Sequence, residues 1–104
     1  MGWAERDEKA LSLLKFALDQ KDIDPVSYQI GTLGDERRVN DKLCLLDVGG
    51  GKWSVLYTER GVISELSDHS SLNSAAKDFF FRLTRSNAHL AFRDAWEKET
   101  GQTF

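Results

Sequence analysis

The spacing of apolar residues divides the chain into helical and extended segments. Over residues 3–20 the apolar side chains recur every three or four positions, which predicts an amphipathic helix. The apolar stripe of this helix consists of Trp3, Ala10, Leu11, Leu14, Ala17 and Leu18. Acidic residues occupy its first turns, where the helix dipole favours them. The helix must end before Pro25, because proline lacks the N–H group and its ring clashes with the preceding turn.

The middle of the chain alternates between apolar and polar residues with a period of two, which is typical of strands that bury one face. Strands are predicted at residues 26–30, 43–48, 53–58 and 62–66, and a further short strand is considered at 37–39. The last three of the four are joined by short turns at residues 49–52 and 59–61. Such neighbours must be antiparallel, since a parallel pair needs a long crossover connection.

Helical spacing returns in the last third of the chain. Ser70 or Ser71 is a candidate N-cap for the first helix of this part. The apolar face of that helix is formed by Leu72, Ala76, Phe79, Phe80 and Leu83. A final helix, capped by Ser86 or Asn87, carries the apolar stripe Ala88, Phe92, Ala95 and Trp96 and ends at Gly101.

The order of these segments predicts an α+β fold in a single domain that covers residues 1–104. It consists of an N-terminal helix, an antiparallel meander of three to four strands, and two C-terminal helices packed on the sheet. In this arrangement Trp53, Val55 and Tyr57 share one face of the sheet. Their expected partners in the core are Leu14 and either Phe79 or Phe80.

Composition limits the kind of protein. Apolar residues make up 40% and charged residues 30% of the 104 positions, which suffices for one core and argues against disorder. Cys44 is the single cysteine and stands in an apolar run, so it is expected in the core rather than as a nucleophile. The charged N-terminus lacks the apolar stretch of a signal peptide, and no run is long enough to cross a membrane. A cytoplasmic location is therefore expected, with no membrane partner. The formal charge of −3 argues against a nucleic acid as ligand.

Two segments suggest catalytic chemistry at first sight. The Gly49–Lys52 segment lacks the first glycine and the final Ser or Thr of a phosphate-binding loop, so it is interpreted as a hairpin turn. Asp68, His69 and Ser70 are adjacent in the chain, and adjacent residues do not align as a catalytic triad. Two histidines and one cysteine match no zinc pattern. The sequence therefore predicts no enzyme, no cofactor and no metal.

A resemblance to a known class of proteins covers about residues 43–83. Its elements are the Gly51-Lys52-Trp53 hairpin, the turn from Tyr57 to Gly61, and small residues before the Phe79-Phe80 pair. In these elements the chain resembles small bacterial immunity proteins of polymorphic toxin and contact-dependent growth inhibition systems. It departs from them at residues 68–71, where the similar proteins tend to have an aromatic residue, and in both terminal helices. The resemblance implies a toxin inhibitor that binds a cognate toxin C-terminal domain, frequently a nuclease.

A nuclease must present a basic cleft to phosphates, and an inhibitor that offers carboxylates can occupy it. The turns and strand ends of the meander carry an acidic set that we take as candidate partner-binding residues. This set consists of Asp35, Glu36, Asp41, Asp47, Glu59, Glu65 and Asp68. For any single member, a solvated turn residue is the competing interpretation. The competing function is a non-enzymatic regulatory or adaptor domain, for which self-association through the sheet edge is one option.

Overall fold

The computed structural model describes residues 3–86 and 90–104. These residues form the helices α1 (Glu5–Gln20), α2 (Leu72–Thr84) and α3 (Leu90–Thr100). They also form the strands β1 (Tyr28–Thr32), β2 (Lys42–Gly49), β3 (Lys52–Glu59) and β4 (Val62–His69). Short 3-10 helices occupy Pro25–Ser27 and Asp35–Arg38. The predicted α+β class and the order of its segments are confirmed.

The sheet is mixed, with the strand order β1-β2-β3-β4. Strands β2, β3 and β4 form the predicted antiparallel meander. The prediction of a purely antiparallel sheet is wrong, because β1 runs parallel to β2, with Tyr28 beside Leu43 and Thr32 beside Asp47. The connection at residues 33–41 is long enough to return the chain to the other end of the sheet, which a hairpin turn is not.

The short strand considered at 37–39 is also wrong. Residues Asp35–Arg38 form a 3-10 helix instead, which begins after Gly34 in the left-handed region (φ 108°). A left-handed residue turns the chain sharply, and glycine adopts this conformation without a steric penalty. The turn sends the connection back over the sheet rather than along its edge.

The main core lies between the helices and one face of the sheet, which we call the helical face. Trp53 and Val55 are buried there together with Leu14 and both Phe79 and Phe80, and Tyr57 packs against them. This placement confirms the predicted core. The centre of the core is aromatic: the Phe80, Phe92, Trp96 and Phe104 rings pack with centroid distances from 4.8 to 6.0 Å.

The opposite face of the sheet, the outer face, holds a smaller cluster of buried side chains. Cys44, Leu46 and Leu56 are buried there, and Val39 from the β1–β2 connection packs against them. The nearly continuous apolar run of β2 follows from this arrangement, because that strand is covered on both faces. The connection covers only the part of the outer face near β2 and leaves the side chains of β4 largely exposed.

The helix ends differ from the predictions by a few residues. Helix α1 begins at Glu5, and Trp3 lies before it, where its ring packs at 5.9 Å from the Trp53 ring. Ser71 is the N-cap of α2, since its Oγ accepts the Ser74 N–H. Helix α3 is followed by Gly101, as predicted. The proposed cap Asn87 and the stripe residue Ala88 lie outside the described residues.

Candidate protein-binding site

Three of the seven candidate acidic residues, Asp35, Asp47 and Glu36, accept hydrogen bonds from backbone N–H groups. The Asp35 carboxylate accepts the Thr32 N–H at 2.8 Å. The Asp47 carboxylate accepts the Trp3 indole N–H at 3.1 Å and the Gly49 N–H at 2.9 Å. Each of these bonds fixes the end of a strand or the start of a turn. Asp35 and Asp47 are half-buried, so they have a structural role whether or not a partner also meets them.

Glu36 requires a correction. Its side chain is only 6% exposed, and its carboxylate accepts the Gly34 N–H at 2.6 Å. The carboxylate thereby satisfies the backbone at the turn that starts the 3-10 helix. Sequence spacing does not reveal this, because the residue stands in a polar stretch that the crossover folds back on the sheet. We therefore remove Glu36 from the partner-binding set.

The other four acidic residues, Asp41, Glu59, Glu65 and Asp68, are exposed. Asp41 precedes β2 and Glu59 ends β3, at the same end of the sheet, because Lys42 pairs with Thr58. Glu65 lies within β4 and Asp68 near its far end, where the Asp68 carboxylate accepts the Ser54 hydroxyl at 2.6 Å. In the described part of the chain, no Lys, Arg or His side chain forms an ion pair with any of the four.

The register of β4 determines where its acidic side chains project. Ile63 pairs with Thr58, Glu65 with Leu56, and Asp68 with Ser54. Those partners alternate along β3 with the core residues Trp53, Val55 and Tyr57, so all three β4 side chains project from the outer face. Along the edge of the sheet they form a row of one apolar and two acidic residues. We call Ile63, Glu65 and Asp68 the edge row.

A polar cluster that sequence reasoning missed joins β4 to α2 on the helical face. The Ser67 hydroxyl donates to the Asp78 carboxylate at 2.7 Å and contacts His69 Nε2 at 2.9 Å. Arg82 Nε donates to the same Asp78 oxygen at 2.8 Å, and His69 Nδ1 lies 2.7 Å from the Ser74 hydroxyl. The only sequence signal for this cluster was the helical i,i+4 spacing of Asp78 and Arg82.

This cluster contains serine, histidine and aspartate, but it is not arranged as a catalytic triad. In a triad the histidine separates the acid from the nucleophile. Here Ser67 lies between the other two, and its single hydrogen is directed to Asp78, while His69 Nε2 and the Asp78 carboxylate are 3.7 Å apart. The cluster ties the end of β4 to α2.

Electrostatics also indicate a structural role for Asp78. Partial burial on its own would raise the pKa of this carboxyl group. Hydrogen bonds from Arg82 and Ser67, together with the charges of Arg82 and His69, outweigh that effect and hold the pKa of Asp78 below its ordinary value. The charged form of Asp78 is therefore stabilised in the fold.

A second exposed surface is apolar and lies between α1 and α3. It is lined by Leu13, Phe16, Phe80, Ala91, Phe92 and Ala95. Phe16 is the most exposed of its large side chains, at 62%. We call this surface the helical groove. Phe16 lies outside the apolar stripe predicted for α1, so the sequence pattern gave no reason to expect the groove.

Among residues 3–86 and 90–104, no group of three or more His, Cys, Asp or Glu side chains is placed to hold a metal ion. No helix in the same residues is long and apolar enough to cross a membrane. Comparison with known proteins adds no relative: no family model matches the chain, and no curated protein or solved structure is significantly similar to it.

Proposed function

We propose that the protein is an immunity protein that binds a cognate bacterial toxin domain, a nuclease, and neutralises it as a stoichiometric inhibitor. The observation that carries the proposal is the set of four exposed acidic residues without ion-pair partners in the described chain: Asp41, Glu59, Glu65 and Asp68. The resemblance at residues 43–83 supports it, because that segment contains the β2–β3–β4 meander and α2, on which three of the four residues lie.

The physical argument is electrostatic. Exposed carboxylates raise the local concentration of a basic partner and speed its association, more than they add to affinity at equilibrium. Two of them, Glu65 and Asp68, project from the outer face of β4, and Glu59 lies beside the same edge of the sheet, at the β3–β4 turn. A basic nuclease cleft facing this side would meet several carboxylates at once, and the inhibitor would then exclude the nucleic acid. We propose that this occurs in the cytoplasm, where the single thiol of Cys44 stays reduced.

The second candidate function is a regulatory or adaptor domain, and the helical groove favours it. Apolar surface that is exposed beside a polar rim is typical of protein–protein contacts. A domain of this kind would bind its partner or a second copy through Phe16 and Phe92 rather than through the acidic residues. The two candidates therefore predict different effects of salt and of charge neutralisation.

The test starts from the gene neighbourhood: if a gene beside this one encodes a large secreted protein, the C-terminal domain of that protein is taken as the toxin domain. We expect that domain to kill cells when expressed alone, to spare them when this protein is expressed with it, and to co-purify with it at a one-to-one ratio. Failure of rescue and of co-purification would refute the proposed function. A complex that forms without rescue would favour the adaptor function instead.

A matched pair of variants tests whether the exposed carboxylates speed association with the toxin domain. The first neutralises the exposed acidic set: Asp41→Asn, Glu59→Gln, Glu65→Gln and Asp68→Asn. The control neutralises four exposed acidic residues of α1 and α3: Glu8→Gln, Asp19→Asn, Asp94→Asn and Glu99→Gln. Both change the net charge equally. Only the first variant should associate more slowly at low salt, with an association rate constant lowered about tenfold or more. Its association rate should also depend less on salt concentration. Equal behaviour of the two variants would contradict the mechanism.

A further inference from the structure

The two edges of the sheet differ in how open they are. Strand β1 has five residues, and the amide of its last residue, Thr32, is bonded to the Asp35 carboxylate. Strand β4 has eight residues, and no further strand pairs with it in the described chain. Edge strands expose unpaired N–H and C=O groups, which can bind the backbone of another extended segment. Of the two edges, β4 is the one that can accept a strand.

A β-bulge limits the open part of β4. Glu65 pairs with Leu56 and Ser67 with Val55, so Leu66 is an extra residue without a partner on β3. A bulge bends the edge and interrupts regular pairing. The regular run is therefore Val62–Glu65, which includes two well-exposed apolar side chains, Val62 at 63% and Ile63 at 41%. An added strand can pair with this run only in a register that stops at the bulge.

The edge row decides what kind of segment fits. Side chains of an added strand lie about 4.5–5.5 Å from those directly opposite on the same face. Glu65 and Asp68 favour Lys or Arg opposite them, and Ile63 favours an apolar side chain. A second copy of this chain, paired antiparallel through the same run with its faces aligned, would set Glu65 opposite Ile63 and leave both carboxylates without a basic side chain opposite them. The edge is therefore suited to a basic partner and unsuited to self-association.

The geometry points to β-augmentation: the run Val62–Glu65 pairs with an extended segment of the toxin domain that carries an apolar and a basic side chain two residues apart, on the same face of the added strand. A basic side chain of that segment meets Glu65, an apolar one meets Ile63, and a second basic side chain beyond the bulge reaches Asp68. This inference rests on the proposed function and adds the mode of binding. The backbone bonds supply affinity, and the edge row with its bulge supplies selection for the partner.

The experiment is amide hydrogen exchange measured by NMR on the intact protein, with and without the toxin domain. Alternate residues of an edge strand direct their N–H groups to solvent, so every second amide of β4 exchanges fast in the free protein. We expect these amides in Val62–Glu65 to become at least tenfold slower to exchange in the complex. Glu65→Lys should weaken the complex about tenfold, while Asp94→Lys, the same charge change on α3, should alter it less than threefold.

The outcomes separate this inference from the proposed function. If the toxin domain binds and is neutralised while the β4 amides stay unprotected, β-augmentation is wrong and the inhibitor function stands. If the toxin domain does not bind, a synthetic octapeptide is titrated in its place, in which valine and lysine alternate along one face of the strand and threonine occupies the other face (Val-Thr-Lys-Thr-Val-Thr-Lys-Thr). Shifts of the Val62–Glu65 amides with that peptide, but not with the same peptide carrying glutamate in place of lysine, would still support the edge as a basic-strand site. No shift with either peptide, or protection that depends on protein concentration alone, would overturn it.

Discussion

Replacing Phe80 with alanine should remove the central ring of the core. The Phe80 side chain is 2% exposed, its ring stacks on Phe92 at 6.0 Å, and it meets the edge of Phe104 at 5.9 Å. A buried Phe→Ala change costs about 3–5 kcal/mol. Each aromatic pair that is lost adds about 0.5–1.5 kcal/mol beyond its buried area. Because the measured cost of a Phe→Ala change already contains such lost contacts, the two pairs place Phe80→Ala in the upper part of that range, at about 4–5 kcal/mol.

The next residue provides a matched control. Phe81 lies in the same helix, but its side chain is 48% exposed. Phe81→Ala should cost less than about 1 kcal/mol, because it leaves no enclosed cavity. Urea unfolding followed by far-UV circular dichroism measures both values, provided that the slope m is unchanged.

A domain of this size holds only about 5–10 kcal/mol of stability, so Phe80→Ala is close to the limit of folding. Phe80→Leu keeps most of the volume and should cost about 1.5 kcal/mol, which keeps the comparison measurable. Equal losses for the alanine variants of Phe80 and Phe81 would refute the placement of α2 on the sheet.

Three further predictions concern the polar contacts and the thiol. The parent protein should be more stable than Asp78→Asn by a full, constant margin above about pH 4, the ordinary carboxyl range, and this margin should shrink as the pH falls through the lowered pKa of Asp78. Urea unfolding midpoints of both proteins across acidic pH measure the margin. A margin that does not change with pH would contradict the prediction. Burial, with the nearby Glu36 charge, raises the pKa of the Cys44 thiol to about 11, so Ellman's reagent should modify the native protein on the order of a hundredfold more slowly than the unfolded protein. In Gly31→Ala the new Cβ would collide with the Asp35 carboxylate, so the variant should lose about 1–2 kcal/mol of stability. A double-mutant cycle with Asp35→Ala should be strongly non-additive, because both changes remove the bond to the Thr32 amide.

The periodic parts of the fold were predictable from the sequence. Apolar spacing in α1 and α2 and alternation in β3 each bury a face, so residues such as Leu14, Val55 and Phe79 could be assigned to one core. The direction of β1 could not be predicted in this way. A strand with one buried face shows the same alternation of apolar and polar residues whether it pairs parallel or antiparallel. The polar residues 33–41 gave no indication of the crossover. A parallel pair needs a crossover, and residues 33–41 supply it, with Val39 packed on the outer face.

From the sequence, the candidate site was predictable only as a set of acidic residues, without their burial or position. Counting acidic residues identified seven carboxylates, but it could not separate Glu36, which is buried against a turn, from Glu65, which is exposed on an edge strand. That separation depends on the path of the β1–β2 connection. The contact of His69 with Asp78 was hidden for a similar reason, since it joins a strand end to a helix and leaves no local pattern.

The crossover also explains why any binding to the outer face must concentrate on β4. On the β2 side, Val39 packs over Cys44, Leu46 and Leu56, so this part of the face is occupied by the chain itself. On the helical face, α1 and α2 cover the sheet with the main core. What remains of the sheet is the outer strip formed by β4, from which Glu65 and Asp68 project. A charge placed on this strip costs little stability, because it stays in water. The same strip can therefore vary in charge to suit a partner while the core residues that specify the fold remain unchanged.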